Sequence, residues 1–321
     1  MNKLDNLLAE IRKVSPAGAG GFQELAHTPD ELLAIPDTIP EACHVPQIAH
    51  FFKWKRAFSY LFTGTPGTGK TTMLFYLLAL KAFKDNSRSI IWTQEMEDAH
   101  LVDGKVKYNV KDVINLLAWT VYGKHPGNMD KAEARTAYGW VMDRFAFFHA
   151  HDRTPAGIAD AFKGLYDKRK ADFLVIDPWK SVNQEITGRG DTWLENVLMS
   201  FKELSLETNT VFCYVVHPKS LKDYREADGQ YRAITPFDLN GGAAWSNSMD
   251  MITSLRRLTN ETGGSMEWHQ QKIRKQHLMG IPETFYNITF DGRTNRYLFN
   301  GSDAFNLTDL DRFTEPQTLP F

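Results

Sequence analysis

Cysteine is almost missing from this chain. Only Cys43 and Cys213 occur among its 321 residues, the second inside the apolar run from Val211 to Val216. Neither a disulfide framework nor a zinc-type ligand spacing can be built from them, which points to a reduced environment. Long apolar stretches are missing too. The longest runs, such as Met73 to Leu80, fall well short of the ~20 residues that a membrane helix needs. No excess of one charge exists, since 37 Lys and Arg face 39 Asp and Glu for a net charge of −2. A wholly basic surface is thereby excluded, and any contact with nucleic acid has to come from a local cluster of cations. Asp5 and Glu10 stand among the first leucines, unlike a signal or transit peptide. The expectation is a soluble cytoplasmic protein without a membrane partner. No internal repeat or low-complexity tract is seen.

What is present is 42% apolar residues, enough for a full core in one main domain. Leu4, Leu7, Leu8 and Ile11 recur at helical spacing, and a glycine-rich linker follows, so residues 1–21 are expected to form a helix and a linker. Residues 22–55 are rich in proline and read as a loop-rich lead-in. From Phe58 short apolar runs alternate with helical patterns, as in βαβ units with a mainly parallel sheet. Strands are expected at 58–63, 89–93, 145–150, 173–177 and 211–216, with helices at about 69–84, 110–122, 129–143, 155–169 and 192–207. After Asp250 the runs 251–255, 266–273, 283–290 and 296–299 are broken by turns and read as an antiparallel extension. The motor domain is thus expected to span 56–300, with 301–321 as a tail.

Gly64-Thr65-Pro66-Gly67-Thr68-Gly69-Lys70-Thr71-Thr72 follows a predicted strand and opens a predicted helix, the context that a phosphate loop requires. Its glycines let backbone N–H groups curl around phosphates, Lys70 reaches the β and γ phosphates, and Thr71 offers a hydroxyl to magnesium. The run Phe173-Leu174-Val175-Ile176-Asp177 reads as a buried strand ending in the carboxylate that completes the magnesium shell. ATP and Mg²⁺ are the implied ligands.

A phosphate loop of this form is also common in AAA+ ATPases, where a glutamate directly follows the strand-end Asp. Here Pro178 follows, so the base has to come from another strand. Glu95, just past the second strand, is the candidate, with Glu97 as the fallback.

Several blocks then agree with one family. Thr93-Gln94-Glu95-Met96 resembles the Ser-Leu-Glu-Met stretch of RecA-like ring ATPases. Ile176-Asp177-Pro178-Trp179, Tyr214-Val215-Val216-His217-Pro218-Lys219, the segment Gly241 to Asp250, and Gln271-Lys272-Ile273-Arg274 followed by Gly280 resemble successive elements of the DnaB and Twinkle-like replicative helicases, in order and spacing. Gly242 departs from the family by standing where serine is more usual, and no primase-like domain is read ahead of the motor. The resemblance implies an α/β, RecA-like P-loop NTPase with a mainly parallel central sheet and a C-terminal antiparallel extension. It also implies a homo-hexameric ring on single-stranded DNA, of phage type and active in a host cytoplasm, with primase, polymerase or loader proteins as candidate partners.

Individual roles follow. His217 ends a strand beside the nucleotide, where an imidazole can sense the γ phosphate. Lys219, Lys222, Arg225 and Arg232, with Gly241 and Gly242, form a basic segment suited to strand phosphates, and the loop around Arg189 is a smaller candidate. Arg274 is the expected arginine finger, supported by Lys272 on the same strand face. Two other classes stay open: a RecA-like recombinase or mediator that coats DNA as a filament, and a regulatory P-loop ATPase that ignores DNA.

Overall fold

The computed structural model describes residues 28–34, 39–95, 97–102, 105–184, 190–219, 225–226, 229–258 and 265–305. The expected helix at 4–11, the glycine linker, Met96, Arg189, Lys222 and the tail beyond 305 lie outside the described residues. The chain divides into two compact units, Met1–Thr38 and Ile39–Phe321. In the first, helix α1 (Pro29–Ala34) is capped reciprocally. Thr28 Oγ1 accepts from the Glu31 N–H at 3.2 Å, and Glu31 Oε2 accepts from the Thr28 N–H at 2.9 Å.

The second unit is built on a ten-stranded sheet. Six parallel strands form its larger part: β1 (Ser59–Gly64), β2 (Ser89–Thr93), β5 (Phe145–Phe147), β6 (Phe173–Asp177), β7 (Val211–Val215) and β8 (Met251–Arg257). They lie in the order β8-β1-β7-β6-β2-β5. Every residue of β1, β2, β6 and β7 is buried, which is why these strands read as continuous apolar runs. Alternate residues feed two cores. Tyr60, Phe62, Phe173 and Val175 pack on the side of α2 (Lys70–Asp85), α3 (Lys111–Tyr122) and α4 (Lys131–Arg144). Leu61, Leu174, Ile176 and Phe212 face α5 (Pro155–Arg169) and α6 (Gly190–Thr208).

The C-terminal extension is antiparallel from β9 onward. β9 (Met266–Ile273), β10 (Thr284–Asp291), β11 (Arg296–Phe299) and β12 (Ser302–Asp303) add successively to the sheet edge, with α8 (Gln276–Met279) between β9 and β10. β8 departs from the sequence expectation. It pairs parallel with β1, Tyr60 opposite Met251, and only its other edge is antiparallel.

Two further differences stand out. The lead-in is irregular, as expected, yet Cys43, Val45, Ile48, Phe51, Phe52 and Trp54 are wholly buried in the first core. Glu41 fixes it there by accepting ion pairs from Arg56 at 2.6 Å and from the buried Lys81 at 2.7 Å. Between β2 and α3, a separate hairpin of β3 (Asp98–Val102) and β4 (Lys105–Asn109) stands apart from the main sheet. Among the described residues, no helix is long and apolar enough to cross a membrane.

Candidate active site

The phosphate loop joins the end of β1 to the start of α2. Two of its glycines are required by the geometry. A Cβ at Gly64 would lie 2.3 Å from the Leu255 carbonyl oxygen, and one at Gly69 would lie 2.6 Å from the Tyr297 hydroxyl. Gly69 also caps α2 at a φ of 80°, in the left-handed region. Thr68 Oγ1 donates to the Thr65 carbonyl at 2.8 Å, and Lys70 Nζ donates to the same oxygen at 3.0 Å. The loop therefore curls around the lysine. Burial of the Lys70 ammonium lowers its pKa to about 8, against the opposing pull of Asp177 and Glu95. Tyr297 is buried against the loop, hydrogen-bonded by Thr72 and donating to the Gly69 carbonyl at 3.3 Å.

Asp177 ends β6 across from this loop, and Thr71 Oγ1 donates to its Oδ1 at 3.0 Å. The carboxyl is fully buried, and that burial raises its pKa to about 7. Among the described residues, its Oδ2 has no partner at full hydrogen-bond geometry, though the Thr93 hydroxyl lies close enough to favour the charged form. A buried carboxylate oxygen in want of a positive neighbour, beside a threonine hydroxyl and a lysine, suits a magnesium ion that takes its other ligands from phosphates and water. No group of three or more His, Cys, Asp or Glu that could hold a metal occurs among the described residues.

Glu95 and Glu97 have different surroundings. Glu97 is turned away into a structural contact, its Oε1 2.7 Å from His149 Nδ1, and His149 stacks on Tyr108 of the hairpin with centroids 3.6 Å apart. Glu95 is 40% exposed and faces the loop that follows β6. Its Oε1 is ion-paired with Lys180 Nζ and lies 3.7 Å from His217 Nε2. Burial, followed by the nearby Lys70 charge, lowers the His217 pKa to about 4, so the imidazole is neutral at physiological pH. Lys70, Thr71, Glu95, Asp177 and His217 thus converge at the carboxyl ends of β1, β2, β6 and β7. The sequence reading missed Lys180, although it stands directly after the Asp-Pro-Trp block.

The tryptophans of the family-like blocks serve packing. Trp179 meets Trp245 edge-on at 5.1 Å and Tyr214 at 5.8 Å, which binds three separate blocks into one cluster. Gly241 starts α7 (Gly242–Ser248) with a φ of 71°, and a Cβ at Gly242 would lie 2.6 Å from the Phe237 Cα. Both glycines proposed for DNA contact thus also have a backbone reason to be glycine. Of the basic segment, Lys219 is exposed. Arg225 instead holds a turn, donating to the Gly229 carbonyl at 2.7 Å and to the Tyr231 hydroxyl at 3.1 Å. Arg232 forms a two-pronged pair with Asp238.

Lys272 and Arg274 point together at the end of α7. Lys272 Nζ donates to the Ser246 carbonyl, and Arg274 Nη2 to that of Asn247 at 2.8 Å, where the helix dipole is negative. Arg274 also pairs with buried Asp250 at 3.1 Å. This pair sits at the opposite end of the sheet from the phosphate loop. Gly64 lies opposite Leu255, whereas the Arg274 N–H bonds to the Asp250 carbonyl. Five residues of β8 separate those levels, ~16 Å of strand.

No family model matches the chain, and no curated protein matches it. Solved structures do. "ATPase Domain of G40P" aligns with a TM-score of 0.63 and 12% identity, over 92% of this chain and 98% of that one. "The Structure Of A DnaB-Like Replicative Helicase And Its Interactions With Primase" aligns at 0.63 and 13%, over 92% and 71%. A KaiC-like protein from Pyrococcus horikoshii OT3 aligns at 0.53 and 12%, over 80% and 98%. The chain therefore has the RecA-like fold of the DnaB-type helicase ATPase domains.

Proposed function

We propose that the protein hydrolyses ATP with Mg²⁺ at the interfaces of a homo-oligomeric ring, a hexamer by likeness to DnaB-type motors, and uses the energy to move along single-stranded DNA and unwind duplex. Magnesium, when bound, neutralises charge on the β and γ phosphates. Thr71 and Asp177 would hold it, Lys70 would bind the same phosphates, and Glu95 would take up the proton of the attacking water. His217 would report the γ phosphate to the segment after β7, where Lys219 is available to strand phosphates.

The observation that carries this reading is the separation of Lys272 and Arg274 from the phosphate loop of their own chain. Lys272 near the end of β9 and Arg274 just past it, the latter 46% exposed, lie too far from their own phosphate loop and suit a neighbour's nucleotide. A filament-forming recombinase would share that feature, so the decisive experiment is mass measurement and imaging with nucleotide and oligo-dT, alongside strand displacement. Closed rings that unwind a forked duplex are expected. Filaments without unwinding would favour the recombinase, and a monomer whose ATPase ignores DNA would favour the regulatory ATPase. Binding should weaken with salt, each strand phosphate contact adding ~0.7 to the log-log slope. Replacing Lys219 should reduce that slope.

A further inference from the structure

The ion pair between Lys180 and Glu95 has no part in the proposed hydrolysis chemistry, and it opposes that chemistry. A carboxylate can take a proton from water only if its lone pairs are free and basic. An ammonium bonded to it occupies one oxygen, where the attacking water would otherwise donate. As the structure stands, Glu95 Oε1 is occupied by Lys180 Nζ. The pair is also easy to open: Lys180 is 58% exposed and Glu95 40%, and solvated pairs of this kind are weak.

What would open it lies next to it. Lys180 and His217 line a cleft together with Trp179, Trp193, Asn240 and Gly241. Trp193, among its lining residues, is half-buried, and Lys180 is exposed. An aromatic face beside a mobile cation is the chemistry that receives a base and its phosphodiester from a single strand. If Lys180 leaves Glu95, the described groups still near it are His217 at 3.7 Å, an imidazole that burial keeps neutral, and the buried Lys70, which is bonded to the Thr65 carbonyl.

We propose that Lys180 is a brake on Glu95: it pairs with the carboxylate while the cleft is empty, and a phosphodiester of a nucleic-acid strand entering the cleft draws it away and frees the base. The brake rests on the reading of Glu95 as the base, and it makes hydrolysis conditional on a bound strand. Lys180 is a positioning residue here, since it acts only through Glu95.

The test compares the full chain with Lys180→Met, which keeps side-chain length and removes the charge, and with Lys180→Arg, which keeps the charge. Mg²⁺-ATPase is measured with and without saturating oligo-dT. Lys180→Met is expected to raise kcat without DNA by about tenfold, to leave KM for ATP unchanged, and to lose most of the stimulation by oligo-dT. Lys180→Arg should keep the low basal rate. A basal kcat at or below wild type in Lys180→Met would overturn the brake, because Lys180 would then assist Glu95. A tenfold rise in KM would overturn it too, by assigning the lysine to ATP. Stimulation by oligo-dT that is absent in wild type, or undiminished in Lys180→Met, would also sink it. A wild-type chain with no ATPase in either condition would instead remove the proposed function itself.

Discussion

Thr71 and Asp177 meet through a 3.0 Å hydrogen bond that joins the first turn of α2 to the end of β6. The carboxyl is wholly buried, and its pKa moves from 3.8 to about 7. An acid with a folded pKa above its unfolded value binds more protons when folded. Its contribution to stability is therefore fully present below pH 3.8 and is lost as pH rises through about 7. Without nucleotide and magnesium, the melting temperature should fall across that window, and Asp177→Asn should flatten the fall. Mg²⁺ with a non-hydrolysable ATP analogue should stabilise the wild type more at pH 8 than at pH 5.5, since the ion replaces the proton. An equal pH slope in Asp177→Asn would remove the carboxyl from this account.

Lys70→Ala is expected to abolish ATPase activity and keep the fold. The ammonium is buried, it donates to the Thr65 carbonyl, and burial already disfavours its charged form. Removing it should shift the melting temperature by less than about 4 °C. Turnover at the wild-type rate would discard the whole site.

Glu95→Gln should bind ATP normally and lower kcat by ~10²–10⁴, because an amide keeps the shape but cannot accept the proton. Glu97→Gln should turn over near the wild-type rate, since that carboxylate is engaged with His149. Single-turnover hydrolysis separates the two. The opposite pattern would transfer the base to Glu97.

Much of this was legible in the sequence because it is local. β2 and β6 match their expected bounds residue for residue, since strands buried on both faces are uninterrupted apolar runs. Lys70 was expected from the glycine-rich loop pattern, and Asp177 from its place at the end of an apolar run. The hairpin at 98–109 was not legible, as Leu101 and Val106 are exposed and give no buried face to recognise. Nor was the burial of Cys43 to Trp54, whose irregular turns carry no period. Contacts across long sequence separation, such as Lys180 with Glu95 and Arg274 with Asp250, are set by the order of strands in the sheet. Reading them requires that order.

Arg274 is expected to act on the nucleotide of a neighbouring subunit. Its removal should leave the fold intact, because Asp250 keeps Lys202 Nζ at 2.6 Å and the Ser59 N–H at 2.8 Å. The guanidinium sits ~16 Å of strand below the level of its own phosphate loop, five β8 residues away, so any transferring phosphate it stabilised would have to belong to a neighbouring subunit. Fingers supplied in trans are worth ~10³–10⁵ in rate. Arg274→Ala and Lys70→Ala should each be inactive alone. When the two are mixed in equal amounts, about a quarter of ring junctions regain an intact Lys70 on one side and an intact Arg274 on the other. Partial ATPase activity should therefore return. If every site must fire in sequence, recovery stays low, and titrating either variant into wild type should then cut activity more steeply than dilution. An Arg274→Ala chain that assembles normally and hydrolyses ATP at the wild-type rate would leave that side chain with its structural pair to Asp250 and no role in catalysis.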